Sequence, residues 1–285
     1  MRSWYRETRY ECGDYMEVNI YPVHGKTISR RKKAKPTKEV QQKLNNIYAE
    51  NRIVRKGNAN FTDHDLKVEL TYSSKHLPST LEEAEKELRK FIRKVKHYRK
   101  KNGLPELKYI ATTETGKKNN RYHHHLIMSG GIDLYELVQM WGKGIVGTDL
   151  LVFDENGIAS LIRYMLKQVM PKVTDESDLS ERAGKKRYTC SRNLVDPPAK
   201  QRDNRFSKRQ VVELAKNIED KSGFEKLYQG YFLSGAKTVM SDINGGVYIY
   251  ARLYREDAAW CNKKKTLNRS RSSAGRTSRN INIQN

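Results

Sequence analysis

The sequence predicts an α+β fold in which a central antiparallel sheet is flanked by helices, and three observations predict it. Leu66, Val68, Leu70 and Tyr72 alternate with polar residues at the period of a strand. Residues 79–103 carry an apolar stripe at the period of a helix. Two further strand-like runs, "ELKYIATTE" and "RYHHHLIMSG", are separated by "TGKKNN", whose Gly and Asn residues suit the turn of an antiparallel hairpin.

Taken in order, "MEVNIYP" reads as a short strand, followed by a basic turn and the polar helix "TKEVQQKLNNIYAENRIVRK" with Thr37 as its N-cap. The helix "STLEEAEKELRKFIRKVKHYRKKNG" starts at Ser79 or Thr80 with acids in its first turn and ends in bases and Gly103. Its stripe is Leu81, Ala84, Leu88, Phe91, Ile92 and Val95. After the hairpin, "DLYELVQMWGKG" is a short helix capped by Asp133, "IVGTDLLVF" is a strand, and "DENGIASLIRYMLKQVM" is a helix stopped by Pro171. Residues 65–170 therefore run βαββαβα. Beyond them the chain turns polar, then offers a helix near "SKRQVVELAKNIED", a strand at "GVYIYARLY" and a Lys/Arg/Ser-rich tail with the composition of a disordered segment. The expected division is an N-terminal basic extension at 1–60, a core domain at 61–172, a C-terminal accessory region at 173–262 and the tail at 263–285.

Composition narrows the partners. Against 33 Asp+Glu the chain carries 56 Lys+Arg, a formal net charge of +23 that a polyanion would neutralise. The excess recurs at "SRRKKAK", "RKFIRKVKHYRKK", "RAGKKR" and "NKKKTLNRSRSSAGRTSR", so a single basic tail does not account for it. Nucleic acid is the leading partner. Seventeen tyrosines against six phenylalanines supply rings that can stack on unpaired bases. Cys12, Cys190 and Cys261 form no CxxC pair and no disulfide framework, which fits a reducing cytoplasm. No apolar run is long enough for a bilayer and the N-terminus has no apolar signal core, so a soluble cytoplasmic protein without a membrane partner is expected.

The chemistry-bearing stretch is "NNRYHHHLIM". On a strand, His123 and His125 project from one face while His124 points away with Tyr122 and Leu126. Two imidazoles then converge, and Glu114, at the end of the preceding strand, is carried beside them across the hairpin. Two histidines and one carboxylate suit a divalent cation, Mg²⁺ or Mn²⁺, with positions left open for phosphate oxygens. The bland alternative is a set of surface histidines on an edge strand. On the last helix of the core, Ile158, Ile162, Met165 and Val169 form the buried stripe with Leu161 and Leu166 at its margins, and Tyr164 lies off its centre. Lys167 is its i+3 neighbour, a cation that can stabilise an attacking phenolate or attract a phosphate. A tyrosine that merely packs by its ring is the simpler reading of that pair alone.

Taken together in order, "VELTYSSKHLP", "YIATTETGKKNNRYHHHLIMSGG" and "IRYMLKQ" resemble the motifs of the HUH endonucleases, specifically the rolling-circle replication initiators of phages, plasmids and single-stranded DNA viruses. The resemblance covers residues 65–170 and implies the ferredoxin/RRM-like HUH fold. It implies that Glu114, His123 and His125 bind the metal and that Tyr164 is the nucleophile, assisted by Lys167. His124 departs from the pattern, because that position is usually apolar; a register slip would make it a ligand instead. The resemblance further implies nicking of single-stranded origin DNA, hairpins included, through a 5′-phosphotyrosyl intermediate with release of a 3′-OH. Without a GxxxxGK[ST] loop, helicase and polymerase would be separate proteins. Arg93, Lys96, Lys100, Lys117, Lys118 and Arg121 are the expected backbone contacts, with a solvated helix face as the alternative for the first three. A relaxase or single-strand transposase would share this chemistry, and a non-catalytic single-stranded-DNA-binding regulator would keep only the fold. Replacing His123 or His125 by Ala is expected to abolish nicking, and His124→Ala to leave much of it.

Overall fold

Amphipathic segments with complementary periods make the sheet that bears the histidines. In the computed structural model, residues 3–25, 38–116, 121–167, 169, 187–240 and 246–258 are described. They divide into two compact units. In the first unit, α1 (Lys38–Asn60) precedes β3 (Leu66–Leu70), α2 (Leu81–Lys101), β4 (Tyr109–Thr115), β5 (Tyr122–Met128), α3 (Leu134–Trp141), β6 (Val146–Leu150), α4 (Ala159–Lys167) and β7 (Thr189–Cys190). Every strand pairs antiparallel in the order β6-β3-β5-β4-β7. The predicted βαββαβα succession is thus present from β3 to α4, and the fold is α+β.

Alternation along the strands divides side chains between two apolar layers. Val68, Leu70, Leu126 and Met128 join the stripe of α2 and the buried Leu137 and Trp141 of α3. Ile110 and Ile127 face the other way and pack with Ile53 and Val54 of α1 and Ile162, Met165 and Leu166 of α4. Helices therefore cover both faces. The start of α2 is fixed by Thr80, whose side chain accepts a hydrogen bond from the Glu83 amide at 3.2 Å, while Ser79 N–H donates to Glu83 Oε2 at 2.8 Å.

The second unit joins the two ends of the described chain. Strands β1 (Ser3–Cys12) and β2 (Tyr15–His24) combine with β8 (Lys200–Asp203), β9 (Tyr231–Met240) and β10 (Val247–Arg255) in a sheet of order β8-β1-β2-β10-β9. Helices α5 (Lys208–Lys216) and α6 (Lys221–Leu227) cover one face, where Val211 and Phe224 meet Met16, Val18, Ile20, Ile249 and Leu253.

This arrangement corrects the expected division at residues 60, 172 and 262. The strands within 1–60 belong to a unit completed by strands after 199, whereas α1 packs with the histidine-bearing sheet. The reason is visible in β1, whose helix-facing side carries Glu7 and Arg9 in place of apolar residues. Glu7 is fully buried and accepts hydrogen bonds from Tyr228 Oη at 2.5 Å and from Arg205. Partners some two hundred residues downstream make a strand of a segment without an apolar alternation. The basic segments at 29–35 and 263–285 and the cap Thr37 lie outside the described residues. Among the described residues, no helix is long and apolar enough to cross a membrane.

Candidate active site

The side chain of His124 points into the apolar layer under α2 and α3 and is 0% exposed. Its Nε2 lies 2.7 Å from Tyr72 Oη and its Nδ1 2.9 Å from Thr113 Oγ1, so both ring nitrogens have partners. The ring meets Trp141 edge to face at 5.7 Å. Burial, reinforced by the neighbouring imidazoles, pushes its pKa down from 6.5 to about 3, which keeps the ring neutral. An imidazole with both nitrogens bonded can occupy a position that alternation reserves for an apolar side chain. The alternative register, with His124 as a ligand, is set aside by this orientation.

His123 and His125 consequently share the other face. Register places Glu114 directly opposite His123, and both Thr112 and Glu69 opposite His125. Opposed residues of an antiparallel pair project from the same face, so all five side chains are on one side of the sheet. His125 Nε2 is 2.9 Å from Glu114 Oε1, with the two side chains 6% and 14% exposed. Glu114 Oε2, His123 Nδ1 and Thr112 Oγ1 are buried and lack a hydrogen-bond partner among the described residues. Such orphans are rare in folded proteins and call for an occupant. Nevertheless, among the described residues no group of three or more His, Cys, Asp or Glu side chains stands in an arrangement that could hold a metal ion. The donor chemistry and orphaned atoms suit a divalent cation, but the three expected ligands do not form a preformed cage.

Helix α4 delivers the phenol to this face. Two glycines permit its approach. A Cβ on Gly57 of α1 would overlap Ile162 Cδ1, so the bare backbone there lets the two helices close. Gly157, just before α4, has φ +66° and accommodates Asn58 Oδ1, which accepts a hydrogen bond from the Ile158 amide at 3.2 Å. With Ile162, Met165 and Leu166 buried, Tyr164 sits beside the sheet half exposed, its ring meeting that of His125 edge to face at 5.9 Å and 82°. Leu166 is 1% exposed, at the centre of the stripe instead of its expected margin. Lys167 is exposed, and neither it nor the Tyr164 hydroxyl makes a hydrogen bond among the described residues.

Gly157→Ala would drive a methyl into Asn58 Oδ1 from left-handed backbone. We expect it to destabilise the fold by about 2 kcal/mol or more and to reduce any chemistry that depends on Tyr164. Urea titration beside an activity assay checks both effects.

Arg93, Lys96 and Lys100 are on exposed positions of α2, and Arg121 is half-buried with its Nη2 3.4 Å from Ser74 Oγ. Lys117 and Lys118 lie outside the described residues. Four side chains escaped the sequence reading: Tyr72 and Thr113, which hold His124, and Thr112 and Glu69, which flank His125. Strand alternation alone places Glu69 and Thr112 on the His125 face; only the strand order reveals that they are its neighbours.

Residues 65–169 match the model of the replication-associated protein ORF2 family, a span that coincides with the βαββαβα core. No curated protein and no solved structure matches the chain.

Proposed function

We propose, taking as premise that residues 65–169 carry the replication-associated ORF2 core, that the chain initiates rolling-circle replication by nicking single-stranded DNA at an origin. One observation carries the proposal: a half-exposed phenol lies edge to face with an imidazole that is itself hydrogen-bonded to a buried carboxylate. A nucleophile, a set of charge-holding groups and a basic chain are then in the same domain.

In this reading the Tyr164 oxygen attacks the scissile phosphorus, the phosphorus–O3′ bond breaks, and the phenol's proton leaves to solvent while the departing 3′ oxygen gains one. The product is a 5′-phosphotyrosyl bond and a free 3′-OH. Because one phosphoester replaces another, the DNA can later be rejoined by the reverse attack without ATP. Glu114, His123 and His125 would hold Mg²⁺ or Mn²⁺, which supplies charge withdrawal at the phosphate. Glu114 and His125 orient one another through their 2.9 Å contact, and Lys167 offers a cation to the phosphate one turn beyond Tyr164. Exposed Arg93, Lys96 and Lys100 would follow the DNA backbone, an interaction that weakens with salt. A separate helicase and polymerase would open and extend the strand.

Incubation with single-stranded origin oligonucleotides and Mn²⁺ or Mg²⁺ tests the reading, which requires a covalent protein–DNA band. His123→Ala and His125→Ala are each expected to lower divalent-dependent nicking by at least about a hundredfold, the scale of losing a group that organises charge at a reacting centre. Unchanged rates in both variants would remove the imidazoles from the chemistry. Specific binding without any adduct would instead favour a non-catalytic regulator.

A further inference from the structure

The sheet of the second unit presents a face that the nicking chemistry does not use. In β2 and β10, Met16, Val18, Ile20, Ile249 and Leu253 point to the layer under α5 and α6. Alternation therefore turns Trp4 and Arg6 of β1, Tyr21 of β2, Tyr248 and Tyr250 of β10 and Lys237 of β9 to the opposite face. Register sets these six side by side. Arg6 opposes Tyr21, Lys237 opposes Tyr250, and one step beyond the Ile249–Ile20 pair Tyr248 comes opposite Tyr21.

The physical character of this face is specific. Four aromatic rings, three of them with a hydroxyl edge, are spread over three adjacent strands, with cations between them. Lys237 Nζ lies 5.6 Å from the centroid of the Tyr250 ring and has no carboxylate within ion-pair distance among the described residues. Arg6 shares its charge with Asp203 at the sheet edge. Tyr250 is 39% exposed, and Val239 beside it is 46% exposed. Rings about 5 Å apart across strands and about 7 Å apart along one strand are spaced to receive successive unpaired bases. A nearby ammonium without a counter-charge suits the backbone phosphate, and the chain's net charge of +23 favours a polyanion over an acid-poor protein surface.

We propose that this sheet face is a second binding platform for single-stranded DNA, one that holds the strand by base stacking without reading its sequence. The choice of DNA over RNA rests on the function proposed above; the stacking surface does not. The platform would retain a displaced or uncut strand independently of the Tyr164 site.

Full-length protein, Tyr248→Ala/Tyr250→Ala and Lys237→Glu are compared by fluorescence anisotropy with labelled oligothymidylate and with oligouridylate of equal length. Covalent adduct formation on a minimal nicking oligonucleotide is measured in the same preparations. The double variant is expected to bind oligothymidylate about thirtyfold or more weakly while forming adduct at the wild-type rate. Lys237→Glu is expected to weaken binding and flatten its salt dependence, and Tyr250→Phe, which keeps the ring, to retain binding. Equal affinity of wild type and double variant would overturn the platform, as would a preference for oligouridylate. Tyrosine-dependent binding in a protein that forms no adduct would sustain the platform and refute only the nicking reading.

Discussion

Tyr164→Phe is expected to eliminate the covalent protein–DNA adduct while leaving the fold and DNA affinity near their wild-type values. The substitution removes one oxygen from a side chain that is 50% exposed and makes no hydrogen bond among the described residues, so the loss of stability should stay within about 0.5 kcal/mol. The chemical consequence is of another size. Without the phenolic oxygen no phosphotyrosyl bond can form, and adduct yield should fall below detection instead of merely slowing. Denaturing gel analysis of a labelled oligonucleotide checks this directly. Persistent adduct in the variant would assign the attacking group to another residue.

His124→Ala should have the largest effect on stability. The change deletes a fully buried ring between Tyr72, Thr113 and Trp141 and leaves two buried hydroxyls without their partner. Cavity formation and lost hydrogen bonds together predict a cost of about 3 to 5 kcal/mol, measured as a shift of the urea midpoint. The molecules that remain folded should still nick, because His124 faces away from Glu114, His123 and His125. Titration gives a second signature. The native ring binds its proton only near pH 3, whereas in the unfolded chain it does so near 6.5, so between these values the unfolded state holds more protons. The ring's contribution to stability is therefore complete above about pH 6.5 and is lost as pH falls toward about 3. With a chelator present, His124→Asn should show a shallower loss than wild type over that interval; parallel curves would mean that the ring is not held neutral.

These expectations separate what the sequence makes legible from what it hides. Period-two and period-3.6 patterns suffice for β3, α2, β5 and α4, because each buries one continuous apolar face. They also place His123 and His125 together and Tyr164 off the stripe, since those assignments need only the direction of successive side chains. The hidden features depend on partners distant in sequence. Strand β1 has polar residues on its buried side and becomes intelligible only when Arg205 and Tyr228 arrive at Glu7. His124 looks anomalous in an apolar slot until Tyr72, 52 residues earlier, is seen to bond it. The closing of α4 on α1 likewise requires Gly57 and Gly157, whose value lies in the absence of a Cβ at a contact that no local pattern announces.

Identifying the residue that carries the DNA tests most directly the claim that the phenol beside His125 is the attacking group. The adduct formed by wild-type protein is trimmed with nuclease, digested with protease and analysed by mass spectrometry. A nucleotide joined through its 5′ phosphate to Tyr164 is the expected product. Linkage to any other tyrosine, or a strand cut to a free 5′ phosphate with no protein attached, would contradict it.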